Sequence, residues 1–272
     1  VLTSFNELSP EIAKIANEFF ENNWIDAEIR NGKDSGAYSH PCVPDVHPYI
    51  LMNYNGKSRD VMTLAHELGH GVHQVLASKN GYLLADTPLT LAETASVFGE
   101  MLVFQKLLSK ADSKQEKNSM IAEKVEDMLN TVVRQIAFHN FETSFHNKRK
   151  SNELTPDEIS EIWMETQSQA LGDAINLDDS YKPLWSYIPH FVHTPFYVYA
   201  YAFGDCLVNS LWQVRLSGQS SFTESYLNLL KSGGKKHHKE ALAPFGLDAS
   251  DPEFWNIGLN TISSLIDELE AA

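Results

Sequence analysis

The sequence predicts a mainly α-helical protein with a small β element near residues 35–55. Three observations carry that class. Apolar residues recur at helical spacing over most of the 272 positions. Ser9-Pro10 and Thr155-Pro156 are paired cap and first-turn signals that open helices. Residues 33–49, KDSGAYSHPCVPDVHPY, hold three prolines and a glycine and cannot be helical.

Taken in order, SPEIAKIANEFFEN starts a helix with Ser9 as its cap. After the proline-rich stretch, YILMNYN reads as a short strand followed by Gly56. A helix is expected from about Asp60 to Ser78, closed by Gly81, and GYLLADTPL is a loop. A second helix is expected from about Thr90 to Lys110. A long helix or helical pair covers roughly Lys114 to Lys150. Thr155, Pro156 and Glu158 form a capping box for the next helix. SGQSSF and KSGGKKHH read as exposed turns, and SDPEFWNIGLNTISSLIDELE as a last amphipathic helix.

Composition narrows the function classes. Lys+Arg total 21 against 36 Asp+Glu, a net charge of −15, which repels phosphate backbones and disfavours nucleic acid as a partner. Cys42 and Cys206 are too few for a disulfide framework and fit a reducing compartment. No apolar run approaches the roughly 18 residues of a membrane span, and no signal-peptide pattern opens the chain. A cytoplasmic protein is expected. The first residue is Val1, so the chain is expected to begin inside a longer one.

The chemistry concentrates in TLAHELGHGVHQ, residues 63–74. Residues four apart on a helix lie about 40° apart in azimuth, one turn up. His66 and His70 therefore project from one side, close enough for both imidazoles to meet one ion. Glu67 flanks that ion without ligating it. This is the His-Glu-x-x-His arrangement of two zinc ligands and a general base. Zinc lowers the pKa of a bound water towards 7, and Glu67 can take that water's proton as it attacks a carbonyl. A catalytic zinc takes a third protein ligand, and Glu93, 23 residues after His70, supplies it from the following helix. Glu100, seven residues on, is placed to accept the N–H of a ligating imidazole. His73 points partly away and reads as a packed or surface histidine. His139 and His146 read as ordinary, and His237 and His238 as part of a solvated turn; His40 and His47 flank the proline-rich segment and can line a cleft. In IPHFVHTPFYVYAYAFG, residues 188–204, the histidines 190 and 193 and the tyrosines 197, 199 and 201 are candidate donors to a developing oxyanion.

AHELGHGVHQ, LTLAETASVFGEML, SGAYS with HPYILMNYNG, HTPFYVYAYAFG and DPEFWNIGL together resemble oligoendopeptidase F. That family comprises thimet-oligopeptidase-like gluzincin zinc metallopeptidases. The resemblance spans nearly the whole chain and implies a zincin-like helical catalytic domain over residues 1–272, the C-terminal portion of a longer peptidase. It implies one zinc ion per chain, held by His66, His70 and Glu93, with Glu67 as base. It implies that SGAYS and the YILMNYN strand lie along the cleft, where an extended peptide adds to a sheet edge. For the transition-state donors the expected set is His190, Tyr197 and Tyr199, with Tyr201 and His193 left open. The implied substrates are short unstructured peptides. An N-terminal wall found in family members is not seen here, so self-association through the exposed cleft is also expected. Two rivals remain: a zinc carboxypeptidase, for which Arg134 is the only arginine considered as a carboxylate anchor, and a non-catalytic zinc-stabilised peptide-binding fragment.

Overall fold

The computed structural model describes residues 1–271. It opens with α1 (Leu2–Leu8) and α2 (Pro10–Glu21), the latter capped by the Ser9 hydroxyl as expected. Three short strands come next: β1 (Ile25–Asp26), β2 (Tyr38–His40) and β3 (Tyr49–Leu51). Their order is β1-β3-β2, parallel between β1 and β3 and antiparallel between β3 and β2. The strand expected over YILMNYN is thus shorter than its apolar run. It gains a partner, β2, from inside the proline-rich stretch.

The helix α3 (Ser58–Ala77) begins two residues before the expected start. The reason is local: the Asp60 carboxylate accepts the backbone N–H groups of Asn55 and Lys57, which would otherwise be orphaned at the helix start. A 3₁₀ turn over Ser78–Asn80 and Gly81, at φ +74°, end it.

The helix expected over residues 90–110 is two pieces, α4 (Leu89–Ala92) and α5 (Thr94–Leu108), and the break falls at Glu93. There φ is −82° and ψ 0°, so the candidate third ligand sits on a corner rather than inside a continuous helix. The alternative left open over residues 114–150 resolves as α6 (Lys114–Leu129) and α7 (Gln135–Arg149), joined by a π turn at Asn130–Arg134.

The Thr155 capping box opens α8 (Pro156–Leu171). A 3₁₀ stretch over Asp179–Tyr187 leads into α9 (His190–His193), then α10 (Tyr199–Leu216), α11 (Phe222–Ser232), α12 (His238–Leu242) and α13 (Pro252–Glu270). The turn after α11 is not wholly exposed: Ser232 and Gly233 are buried, and Gly234 donates its N–H to the Leu84 carbonyl at 2.9 Å.

The main core gathers Phe5, Phe19, Leu68, Phe98, Trp212 and Tyr226 from the first, second, third, fifth, tenth and eleventh helices. Each such side chain contributes about 1.5–3 kcal/mol by leaving water. A second, smaller cluster of Phe138, Phe141, Ile162, Trp163 and Val198 joins α7, α8 and the segment before α10. Between α3 and α5 the backbones approach closely, and glycines on both sides permit it. A Cβ on Gly69 would lie 2.6 Å from the Ser96 Cα, and one on Gly99 would lie 3.0 Å from the Ala65 carbonyl. Among the described residues no helix is long and apolar enough to cross a membrane. Cys42 is exposed, Cys206 is buried, and both are free.

Candidate metal centre and active site

The glycine-mediated contact between α3 and α5 brings Glu93 under the two histidines. His66 Nε2 and His70 Nε2 are 3.1 Å apart, and each lies 3.4 Å from Glu93 Oε2. Tetrahedral zinc with bonds of about 2.0–2.1 Å separates its donors by roughly 3.3–3.4 Å, so this triangle has the size of one face of such a centre.

The donor chemistry agrees. His66 Nδ1–H donates to Glu100 Oε1 at 2.6 Å, which turns the Nε2 lone pair towards His70 and Glu93. Two imidazole nitrogens and a carboxylate oxygen then converge, a donor set that a divalent cation satisfies. The fields agree too. Burial disfavours the His66 imidazolium, but the Glu100 hydrogen bond and the charges of Glu100, Glu93 and Glu67 outweigh it and raise His66 to about 9. Burial likewise opposes the Glu93 carboxylate, yet His70, His66 and the Ser96 hydroxyl hold it down at about 2. The Ser96 bond to Glu93 Oε2 is 2.8 Å.

Glu67 lies on the same helix, 5% exposed. Burial raises its pKa against the pull of His66 and His70, and its Oε2 finds no hydrogen-bond partner among the described residues. It is a basic oxygen free to take a proton. Behind the centre, Glu100 Oε2 faces the buried Lys124 Nζ at 3.8 Å, and Gly204 of α10 packs under Glu93. A Cβ at Gly204 would come within 2.6 Å of the Glu93 Cβ, so α10 supports the third donor through a missing side chain.

The aromatic candidates divide. His190 Nε2 is 3.1 Å from the Tyr201 hydroxyl, and the rings of Tyr197 and Tyr201 are 5.1 Å apart. Both tyrosines are raised, by burial first and then by neighbouring charge including Glu93, and Tyr197 reaches about 12. Tyr199 turns the other way, its ring against His139 with centroids 5.5 Å apart. The structure therefore groups His190, Tyr197 and Tyr201 near Glu93 and sets Tyr199 apart. Spacing alone did not separate them, because Tyr199 and Tyr201 lie in α10 whereas Tyr197 precedes it in the turn after Phe196. His193 is exposed.

A cleft of about 450 Å³ opens beside His70, walled by Pro41, Val43 and Pro44 on one side and by Tyr82 and Thr87 on the other. Residues 40 and 47 are not its walls. His47 stacks on Trp24 at 3.9 Å, and His40 Nδ1 accepts the Cys42 N–H. His73 is buried, hydrogen-bonded to Thr87 at 3.2 Å, and held neutral by burial, as a packed histidine. Gln74, one turn past His70, both accepts from the Ser39 hydroxyl at 2.8 Å and donates to its carbonyl at 3.1 Å. Those two bonds tie edge strand β2 to the histidine-bearing helix, a link that no local sequence signal announces. Arg134 is exposed, with its guanidinium 5.3 Å over Phe138.

The chain is similar to known proteins over nearly its whole length. The model of peptidase family M3 matches residues 6–261. Oligopeptidase PepF of Bacillus subtilis (strain 168) is 30% identical over 272 residues, covering 99% of this chain and 40% of that protein. A crystal structure from Chlamydophila abortus is 33% identical with a TM-score of 0.81, over 99% of this chain and 46% of that one. Oligoendopeptidase-F from Enterococcus faecium is 26% identical with a TM-score of 0.66, over 78% of this chain and 39% of that one. The chain thus spans less than half the length of these relatives.

Proposed function

The chain belongs to peptidase family M3, and on that premise we propose that it is a zinc-dependent endopeptidase that hydrolyses short unstructured peptides in the cytoplasm. The observation that carries the proposal is the triangle of His66 Nε2, His70 Nε2 and Glu93 Oε2 with the partnerless Glu67 oxygen beside it. Zinc held by those three residues would supply a Lewis acid that polarises a carbonyl and acidifies water.

The rest falls to the chain's own side chains. Glu67 Oε2, basic because it is buried, takes the proton of the attacking water and returns it to the leaving amine. Tyr201, Tyr197 and His190 are the donors available to the carbonyl oxygen as it gains charge, and preorganised donors of this kind are worth about 10²–10³ in rate each. Glu100 keeps His66 in one tautomer and one orientation. The free edge of β2 can take the substrate backbone as an added strand, at a distance from His70 set by the Gln74–Ser39 pair. The cleft beside His70 would then receive a substrate side chain. The preference for short extended peptides over folded proteins follows from the family resemblance.

The test is cleavage of an internally quenched peptide with and without a chelator, the products read by mass. Chelator-sensitive internal cuts support the proposal. Stepwise loss from the C-terminus would replace it with a carboxypeptidase. Cleavage indifferent to the chelator would remove the metal from it.

A further inference from the structure

One buried carboxylate takes no part in the chemistry above. Glu142 of α7 is 1% exposed, and its Oε1 accepts the backbone N–H of Phe196 at 2.8 Å, 54 residues along the chain. Phe196 has φ +63°, in the left-handed region that a residue with a Cβ avoids. Such a conformation persists only where its surroundings impose it. The ring of Phe196 imposes little: it is 40% exposed, against His146. Nearby, Tyr187 and Val192 are 81% and 75% exposed, while Ile188, Phe191 and Val198 anchor the segment on the second core cluster; Phe196 itself is not part of that cluster.

The next residue is Tyr197, whose ring stacks on His190 at 5.7 Å and lies 5.1 Å from Tyr201. A neutral glutamine offers the same acceptor oxygen. A carboxylate makes a bond roughly twice as strong, at the expense of a second oxygen, Oε2, that is buried without a partner among the described residues. The fold tolerates that unsatisfied oxygen for a firmer hold on a single backbone N–H.

We infer that Glu142 is a positioning residue: by pinning the Phe196 N–H it fixes the left-handed turn that presents Tyr197 and His190 to the substrate carbonyl. The inference rests on the peptidase reading for its catalytic consequence, and on the turn alone for its structural one.

Three variants test it: Glu142→Leu, Glu142→Gln and Phe196→Pro, the last removing the N–H and forbidding positive φ. Each is measured for zinc affinity by chelator competition, for kcat and KM on the quenched peptide, and for amide exchange over residues 194–198. Glu142→Leu and Phe196→Pro should each lower kcat by about 10²-fold, the worth of a misplaced donor, with KM and zinc affinity within about threefold of the parent. Exchange over 194–198 should rise in both. Glu142→Gln should recover kcat to within about tenfold and keep the segment protected. Unchanged kcat in Phe196→Pro overturns the inference even if Glu142→Leu fails to fold. So does equal damage in Glu142→Gln and Glu142→Leu, or a parallel loss of zinc. If the parent cuts no peptide, the peptidase reading fails with the catalytic part of the inference. The exchange experiment still decides whether Glu142 holds the turn.

Discussion

The two halves of the candidate site are built by opposite means. The ligand half is two helices in close backbone contact. Its donors sit on α3 and at the α4–α5 corner, backed by Glu100, Ser96 and Gly204. The donor half is a segment of short helix and turns, residues 187–198, anchored through Ile188, Phe191 and Val198, whose key tyrosine comes directly after a left-handed residue held by one long-range hydrogen bond. A metal triangle needs donor positions accurate to a few tenths of an ångström whether or not substrate is present, and packed helices supply that rigidity. Donors to a transition state need only be right when the carbonyl oxygen changes charge. A turn anchored on one side and exposed at Tyr187, Val192 and Phe196 serves there.

Breaking each half in turn sharpens the contrast. The largest effect is expected from Glu67→Gln, which keeps shape and loses the base: cleavage should fall by about 10²–10⁴-fold with zinc stoichiometry unchanged, measured by turnover and metal analysis. Retained turnover would remove Glu67 from the reaction.

Next comes the donor half. Tyr201→Phe should lower kcat by about 10²–10³-fold without altering zinc affinity, whereas Tyr199→Phe should do little, because that ring faces His139. Equal loss in the two would mean that the tyrosines act through packing.

The ligand half is tested through its packing with Gly204→Ala. The added Cβ meets Glu93, so zinc affinity should weaken by about 10–100-fold while kcat of the zinc-saturated enzyme changes less, read by chelator competition. Unchanged affinity would show that the corner yields without moving its carboxylate.

The smallest effect concerns stability. Burial raises Asp205 on α10 to about 6, above its unfolded value near 3.8. The folded state then binds more protons between about pH 4 and 6. Stability from this group is therefore present in acid and lost as pH rises through that window, by up to about 3 kcal/mol. Asp205→Asn should flatten that slope in denaturant melts across the window. A slope equal to the parent's would exonerate Asp205.

Much of the ligand half was legible because its determinants are local. The i, i+4 spacing of His66 and His70 puts both imidazoles on one face whatever the surroundings, and Glu67 is set by its place between them. The caps at Ser9 and Thr155 are likewise contacts within three residues. The corner at Glu93 was not legible. It depends on α10 pressing Gly204 beneath that residue, 111 positions later, and no local signal in LTLAETASV marks the break.

By itself the sequence determined the helical class, the histidine pair with its flanking glutamate, the carboxylate candidates and the proline-rich interruption. Periodicity, caps and proline sterics act over one or two turns of chain. Only the tertiary structure decided which oxygen of Glu93 faces the imidazoles, that Glu100 rather than solvent accepts the His66 N–H, and that Tyr201 joins Tyr197 while Tyr199 turns to His139. It alone set Glu142 beneath Phe196. Each of these is a contact between residues that lie far apart in sequence or belong to different helices. Ångström-scale distances between such groups depend on how whole helices pack, which no short window of residues encodes.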